Sequence, residues 1–256
     1  MTLKKVTFPN LDGQALSGIL TLPEDDRPFA WAIFSHCFTC TKEYKAPVFV
    51  SRELARRGIA TLRFDFTGLG ESGGEFAETT LTGNVSDIVS AAEFLTDEYD
   101  PPSILIGHSM GGAAALLAAK RLDSIRLVAS IATPINPGRI GEALLRARAR
   151  AMLEGEGELH VAGRAYRLKK NFFVDLDETS LKAVLRTLGK PLLVFQSPVD
   201  RLVRAGSGEE LFQAASHPKS FISLPGADHL LSDGKDARLV AGVIELWVKR
   251  YLPGSG

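Results

Sequence analysis

The segment Gly107-His108-Ser109-Met110-Gly111-Gly112 holds the strongest chemical signal in this sequence. It follows a short apolar run, Ser103–Ile106, and opens a stretch of small apolar residues with helical spacing. A serine on such a strand-to-helix turn is lifted clear of the sheet, and the N–H of the next residue, Met110, points where an oxyanion would form. Gly107 and Gly111 suit a turn in which neighbouring backbone passes close. A serine hydroxyl is a weak nucleophile on its own. It needs an imidazole to take its proton and a carboxylate to fix the imidazole tautomer. The chain order expected behind this turn is serine, acid, histidine.

Three histidines follow Ser109, namely His160, His217 and His229. His160 falls in a hairpin pattern and His217 at a helix end before Pro218, so both read as surface residues. His229 follows the apolar run Phe221–Leu224, in the loop Pro225-Gly-Ala-Asp-His229, where a base belongs at the C-terminal end of a parallel strand. Asp200 is the first acid after the run Pro191–Gln196 and is assigned as the orienting carboxylate. Asp228 is adjacent to His229 and reads as structural, because chain neighbours rarely reach the required geometry. A second oxyanion donor is assigned to the Phe38 N–H, in His36-Cys37-Phe38-Thr39-Cys40. His36, Cys37 and His108 are expected at the substrate pocket, together with Leu144, Leu145, Phe172 and Phe173 from a later insertion. Those apolar insertion residues, with Met152, either line an acyl site or pack the insertion onto the body, the second being favoured.

Two motifs are decoys. Cys37-Phe-Thr-Cys40 is formally C-x-x-C, but no second ligand pair offers a zinc site and its context is not that of a redox helix. A packing role is expected, with free thiols near the site making activity sensitive to thiol reagents. Gly68-Leu-Gly70-Glu-Ser-Gly73 matches a dinucleotide fingerprint, yet no helix opens behind it to receive a pyrophosphate. It reads as a turn-rich loop, Asp65–Ser72, forming one wall of the pocket. Neither a metal nor a cofactor is expected.

The elements that must position these groups alternate. Val6–Phe8 and Ala15–Leu22 read as opening strands around an Asp12-Gly13 turn. Phe29–Ser35, Ile59–Phe64, Ser103–Ile106, Arg126–Ala132, Pro191–Gln196 and Phe221–Leu224 follow as strands. Helical patterns cover 44–58, 81–98, Met110–Leu122, 206–216 and 236–251. Near-continuous apolar strands between helices predict an α/β fold with a mostly parallel twisted sheet covered on both faces. Residues 138–188 are too long for a simple crossover. They contain a helix at Ile140–Leu153, a hairpin around Ala162-Gly163 and a short helix at Leu181–Leu188. The expected organisation is therefore a core of residues 1–137 and 189–252, an inserted cap or lid over 138–188, and a linker-like tail at 253–256.

Bulk properties narrow the partners. The 256 residues carry 30 basic and 30 acidic side chains, so no electrostatic footprint for nucleic acid or an anionic membrane exists. No run is long and apolar enough for a membrane span, and the start lacks a signal-peptide core. Two cysteines leave no disulfide framework, which makes a cytoplasmic location the default. A small-molecule partner remains.

Taken together, these residues resemble the α/β-hydrolase superfamily over nearly the whole chain. His36-Cys37, Asp65 to Ser72, Gly107 to Gly111, Asp200 and His229 match its motifs in order. Cys37 departs from them, standing where many members have glycine. The stretches HCFTC, LRFDFTGLGES, IGHSMGGAA and HPKSFISLPGADHLL resemble the hydrolase domain that is fused to an OsmC-like domain in some bacterial proteins. That partner domain is not expected here, because the chain ends soon after its last helix. The Phe38-Thr39 loop is similar to that of cinnamoyl (feruloyl) esterases, which carry a comparable insert. The resemblance implies a serine carboxylesterase on small to medium acyl or aryl esters. Thioester or C–C hydrolysis and acyl transfer on the same triad are the alternatives, and a non-catalytic binding module is a more distant one.

Overall fold

The computed structural model describes residues 1–139, 141–161 and 163–252. The tail at 253–256, Ile140 at the expected helix start and Ala162 at the expected hairpin turn lie outside them. The chain runs through β1 (Thr2–Pro9), β2 (Ala15–Leu22), β3 (Ala30–Ser35), α1 (Lys45–Ala55), β4 (Ile59–Phe64), α2 (Leu81–Glu98), β5 (Ile104–His108), α3 (Met110–Ala118) and β6 (Leu127–Ile131). It continues through α4 (Gly141–Glu154), β7 (Glu156–Val161), β8 (Arg164–Lys169), α5 (Lys170–Glu178), α6 (Leu181–Arg186), β9 (Leu192–Gln196), α7 (Gly206–Ala214), β10 (Lys219–Ser223) and α8 (Gly234–Tyr251).

Eight strands form one sheet in the order β1-β2-β4-β3-β5-β6-β9-β10. β1 and β2 are antiparallel to their neighbours, and all other pairings are parallel. The five strands β3, β4, β5, β6 and β9 are buried along their whole length. Their sequences are apolar at both phases of the two-residue repeat for that reason. Leu105, Leu192 and Val194 point to the face covered by α2 and α3, while Ile104, Ile106, Leu193 and Phe195 point to the face covered by α1 and α8. The fold is thus the predicted doubly covered, mostly parallel sheet.

The segment between β6 and β9 holds α4, the antiparallel β7–β8 hairpin, α5 and α6. A Cβ at Gly157 would stand 1.9 Å from the Ala147 carbonyl oxygen, so the hairpin can lie on α4 only with glycine there. Helix α5, which the sequence pattern did not reveal, buries Phe172 and Phe173. Its Asp175 accepts hydrogen bonds from the Thr82 N–H (3.0 Å) and hydroxyl (2.5 Å) at the start of α2, which ties the insertion to the body.

The loop leaving β3 corrects the reading of the cysteines. Cys37 and Cys40 are joined by a disulfide, so no free thiol is present among the described residues. The Cys40 N–H bonds to the Cys37 carbonyl at 3.1 Å, closing a turn that brings the two Cα atoms to 5.3 Å, within disulfide reach. With the cysteines bonded, their number no longer argues for a reducing compartment. No described helix is long and apolar enough to cross a membrane.

His36, also in this loop, is buried and neutral. Its Nδ1–H donates to the Cys37 carbonyl at 2.8 Å while Nε2 accepts from the Phe66 N–H at 3.3 Å, so a second ring proton has nowhere to go. Burial pushes its pKa down to about 4, against weaker raising by the Cys37 carbonyl and Asp65. Burial likewise pushes His108 down to about 3. An unfolded histidine titrates near 6.5. The unfolded chain therefore binds more protons below that value, and stability that is complete above it declines as pH falls toward the folded values.

Two outcomes follow. Urea midpoints should fall between pH 6.5 and 5, where ordinary carboxylates remain ionised, and the slope should be shallower in His36→Asn; equal slopes contradict the buried neutral imidazole. Iodoacetamide should add no mass to the denatured protein without reductant and two carbamidomethyl groups after reduction, one for each cysteine. Labelling without reductant contradicts the disulfide.

Candidate active site

The turn between β5 and α3 is forced by lack of room. A Cβ on Gly107 would lie 2.4 Å from the Gly112 Cα, one on Gly111 2.2 Å from the His36 carbonyl oxygen, and one on Gly112 1.9 Å from the Thr133 hydroxyl. Ser109 holds the reversal at φ 55°, ψ −123°, a conformation costly for a non-glycine residue. Its N–H is anchored to the Ile131 carbonyl on β6 at 2.8 Å, and its carbonyl accepts from the Gly112 N–H at 2.9 Å. Helix α3 begins at the next residue, so the Met110 N–H sits at a helix N-terminus.

The loops after β9 and β10 bring an acid and an imidazole together. His229 Nδ1 and Asp200 Oδ2 are 2.8 Å apart, with both side chains almost wholly buried. The other carboxylate oxygen, Oδ1, accepts the N–H groups of Leu202 at 2.8 Å and Val203 at 3.0 Å. Burial alone would raise the Asp200 pKa. The His229 hydrogen bond and charge, with those two N–H groups, outweigh it and hold the carboxyl below its ordinary value. An ionised Asp200 fixes the proton on Nδ1 and leaves Nε2 as the basic nitrogen. Ser109 and His229 line the same cavity. No hydrogen bond joins the Ser109 hydroxyl to the imidazole here; such bonds commonly tighten only on substrate binding. Asp228 instead accepts the Ser232 N–H at 2.8 Å within its own loop. His160 and His217 are exposed and neither lines this cavity, although His160 stands between the lining residues Leu159 and Val161.

Phe38 lies on the β3 loop beside the elbow. Neither its N–H nor that of Met110 donates to another described residue. The loop is braced from below by a buried charge cluster. Asp65 accepts the Lys42 N–H at 2.6 Å, the Lys42 ammonium at 2.5 Å and the Glu71 N–H at 2.9 Å, while Lys42 also reaches Glu71 at 2.7 Å. Burial would lower the Lys42 pKa, but Asp65 and Glu71 together raise it, so the ammonium stays charged. From above, the Phe38 ring stacks on Phe172 of α5 at 5.2 Å and meets Phe76 at 5.6 Å, which in turn packs on Tyr166 of β8.

The cavity holding Ser109 and His229 measures about 300 Å³ and is lined mainly by apolar groups, with no Asp, Glu, Lys or Arg among the described residues. Of the residues expected at a substrate pocket, Cys37 and Leu144 line this cavity. The other expected pocket residues do not. His36 and His108 are buried behind it, Leu145 is 44% exposed, and Phe172 and Phe173 are buried in the core, Phe172 against the Phe38 ring. The Asp65–Ser72 loop is also absent from the lining, being consumed in bracing the β3 loop. Tyr44, Leu159, Val161, Leu202 and Leu230 line the cavity without any sequence motif to mark them. A larger cleft of about 440 Å³, around Asp12, Thr67 and Asp87, contains no histidine or cysteine and offers no activated nucleophile. Among the described residues, no cluster of three or more His, Cys, Asp or Glu could hold a metal ion.

Comparison with known proteins fits this arrangement. The esterase domain of a Rhodothermus marinus protein superposes with a TM-score of 0.80 at 43% identity, covering 100% of both chains. Est1E of Butyrivibrio proteoclasticus, in a structure with ferulic acid bound, superposes with a TM-score of 0.78 at 22% identity over 96% of this chain and 99% of that one, a likeness of fold. The mouse mitochondrial palmitoyl-protein thioesterase ABHD10 is 39% identical over 77 residues, 30% of this chain and 25% of that protein, so the match spans only a quarter of the relative's length. A family model described as the alpha/beta hydrolase family matches residues 31–243. Its span takes in the elbow serine and both loops that carry the Asp200–His229 pair, and the chain belongs to the alpha/beta hydrolase family.

Proposed function

We propose that this protein is a serine hydrolase of carboxylic esters, with Ser109 as nucleophile, His229 as general base and acid, and Asp200 as the orienting carboxylate. The observation that carries this reading is the buried Asp200–His229 pair at 2.8 Å, opening on the cavity that also receives the strained elbow serine. Ser109 Oγ attacks the ester carbonyl as His229 Nε2 takes its proton. The N–H groups of Phe38 and Met110 hold the oxyanion. His229 then protonates the departing alcohol, and water repeats the sequence on the acyl-enzyme.

The cavity narrows the substrate. A volume of about 300 Å³ lies at the small end for ligand sites, and an apolar, uncharged lining favours a neutral acyl or aryl group. Leu144, Leu159 and Val161 of the insertion contribute to that lining, which supports residues 138–188 as a cap. The ferulate held by Est1E has the size and aromatic character such a site would accept. A thioester substrate is the second reading, favoured by the partial match to a palmitoyl-protein thioesterase. A sulfur leaving group needs less protonation from His229, so thioester turnover would be less dependent on it as an acid.

Ser109→Ala should lower kcat on p-nitrophenyl butyrate by about 10⁴ with the thermal midpoint unchanged; near-normal turnover overturns the assignment. An anionic acyl chain must be desolvated without a partner among the described residues of this lining. The p-nitrophenyl hemisuccinate should therefore show kcat/KM at least ~10-fold below the butyrate. Equal values would contradict the apolar acyl site.

A further inference from the structure

His229 and Ser109 start far apart. β10 is the last strand of the sheet and is three strand spacings from β5, roughly 14 Å at the usual interstrand distance. The loop after β10 must therefore carry the imidazole back across the ends of β9 and β6. Three bonds hold that loop to the end of β9 and its exit: the Leu224 N–H donates to the Gln196 carbonyl at 2.9 Å, the Ser197 hydroxyl donates to the Ala227 carbonyl at 2.6 Å, and Asp200 takes His229 Nδ1 at 2.8 Å. None of these reaches β5. Among the described residues, one hydrogen bond joins the loop to the strand that carries the nucleophile. His108 Nε2 lies 2.7 Å from the His229 carbonyl oxygen.

A carbonyl only accepts, so His108 carries its proton on Nε2. Its Nδ1 is then a bare nitrogen, buried without a partner, in a side chain with no exposed surface. The two imidazole rings are 5.0 Å apart. A cationic His108 would oppose the imidazolium that forms on His229 during acyl transfer. Burial first, and the neighbouring His229 charge second, keep it neutral.

We propose that His108 is a positioning residue, which sets the separation of base and nucleophile by holding the His229 main chain to the residue beside Ser109. This rests on the catalytic reading above. His108 takes no part in proton transfer itself; its cross-link replaces the register that adjacent strands would otherwise supply. A displacement of about 1 Å between reacting groups can cost on the order of 100-fold in rate.

The test compares His108→Gln, whose amide nitrogen reaches near the place of Nε2, with His108→Met, of similar length but without a donor. Rates are expressed per site titrated by a fluorophosphonate, so loss of folded protein does not count as loss of rate. His108→Met should lower kcat on p-nitrophenyl butyrate by roughly 10- to 100-fold, with KM within about twofold and slower fluorophosphonate capture. His108→Gln should recover most of the loss. If His108→Met does not fold, His108→Asn, too short to reach the His229 carbonyl, takes its place with the same expectation. Unchanged kcat per titrated site in the donor-less or short variant, or a glutamine no better than methionine, overturns the proposal. Activity surviving Ser109→Ala would instead overturn the catalytic reading, so the two failures are distinct.

Discussion

One close approach of backbone to backbone organises the site. The first turn of α3 lies so near the ends of β3 and β5 that Gly111 would drive a Cβ to 2.2 Å from the His36 carbonyl oxygen and 2.4 Å from that of Ser35. The contact acts on both partners. It forces the chain to reverse at Ser109 with positive φ, and it registers the β3 loop, two residues before Phe38, against the same helix turn. The proposed nucleophile and the two proposed oxyanion N–H groups are thus set by a packing constraint between regular elements rather than by mobile loops. That is the kind of preorganisation on which electrostatic stabilisation of a transition state depends.

The β3 loop is held from two further directions by different physics. Beneath it, the Lys42–Asp65 pair is buried, and its stability depends on each charge keeping the other along with the Lys42 and Glu71 N–H groups on the carboxylate. Above it, the Phe38 ring stacks on Phe172 from the insertion. The insertion therefore acts on the loop that carries the Phe38 N–H as well as contributing Leu144, Leu159 and Val161 to the lining of the cavity that holds Ser109. Coupling of insertion to loop gives this fold a route by which sequence changes far from Ser109 would alter the proposed oxyanion site.

Much of this was legible in the residues. The elbow, the late acid and the late histidine stand out because their chemistry requires particular residue types at strand ends, and strand ends are readable from apolar runs. The strand and helix order was legible for the same reason, and so were α4 and the hairpin in the insertion. Helix α5 was not: Lys170–Glu178 is short, and its two adjacent phenylalanines obscure the helical period. The disulfide was missed because spacing alone does not say that Cys37 and Cys40 bracket a closed turn. His36 and His108 were placed in the pocket for their proximity to motif residues, whereas their side chains turn inward to hold backbone. Tyr44, Leu202 and Leu230 reach the cavity through tertiary packing, for which no local pattern exists. Lys42 carried one available signal, a lysine in the loop after β3 whose buried counter-ion, Asp65, directly follows the next strand.

The central claim is that Ser109, His229 and Asp200 act as one unit. Peptide mapping after fluorophosphonate treatment, done on the natural sequence and on His229→Gln and Asp200→Asn, reads this directly. The account predicts a single adduct on the peptide containing Ser109, with capture at least ~10³-fold slower in both variants. An adduct on another residue, or capture at Ser109 that proceeds unchanged without the imidazole, would contradict it.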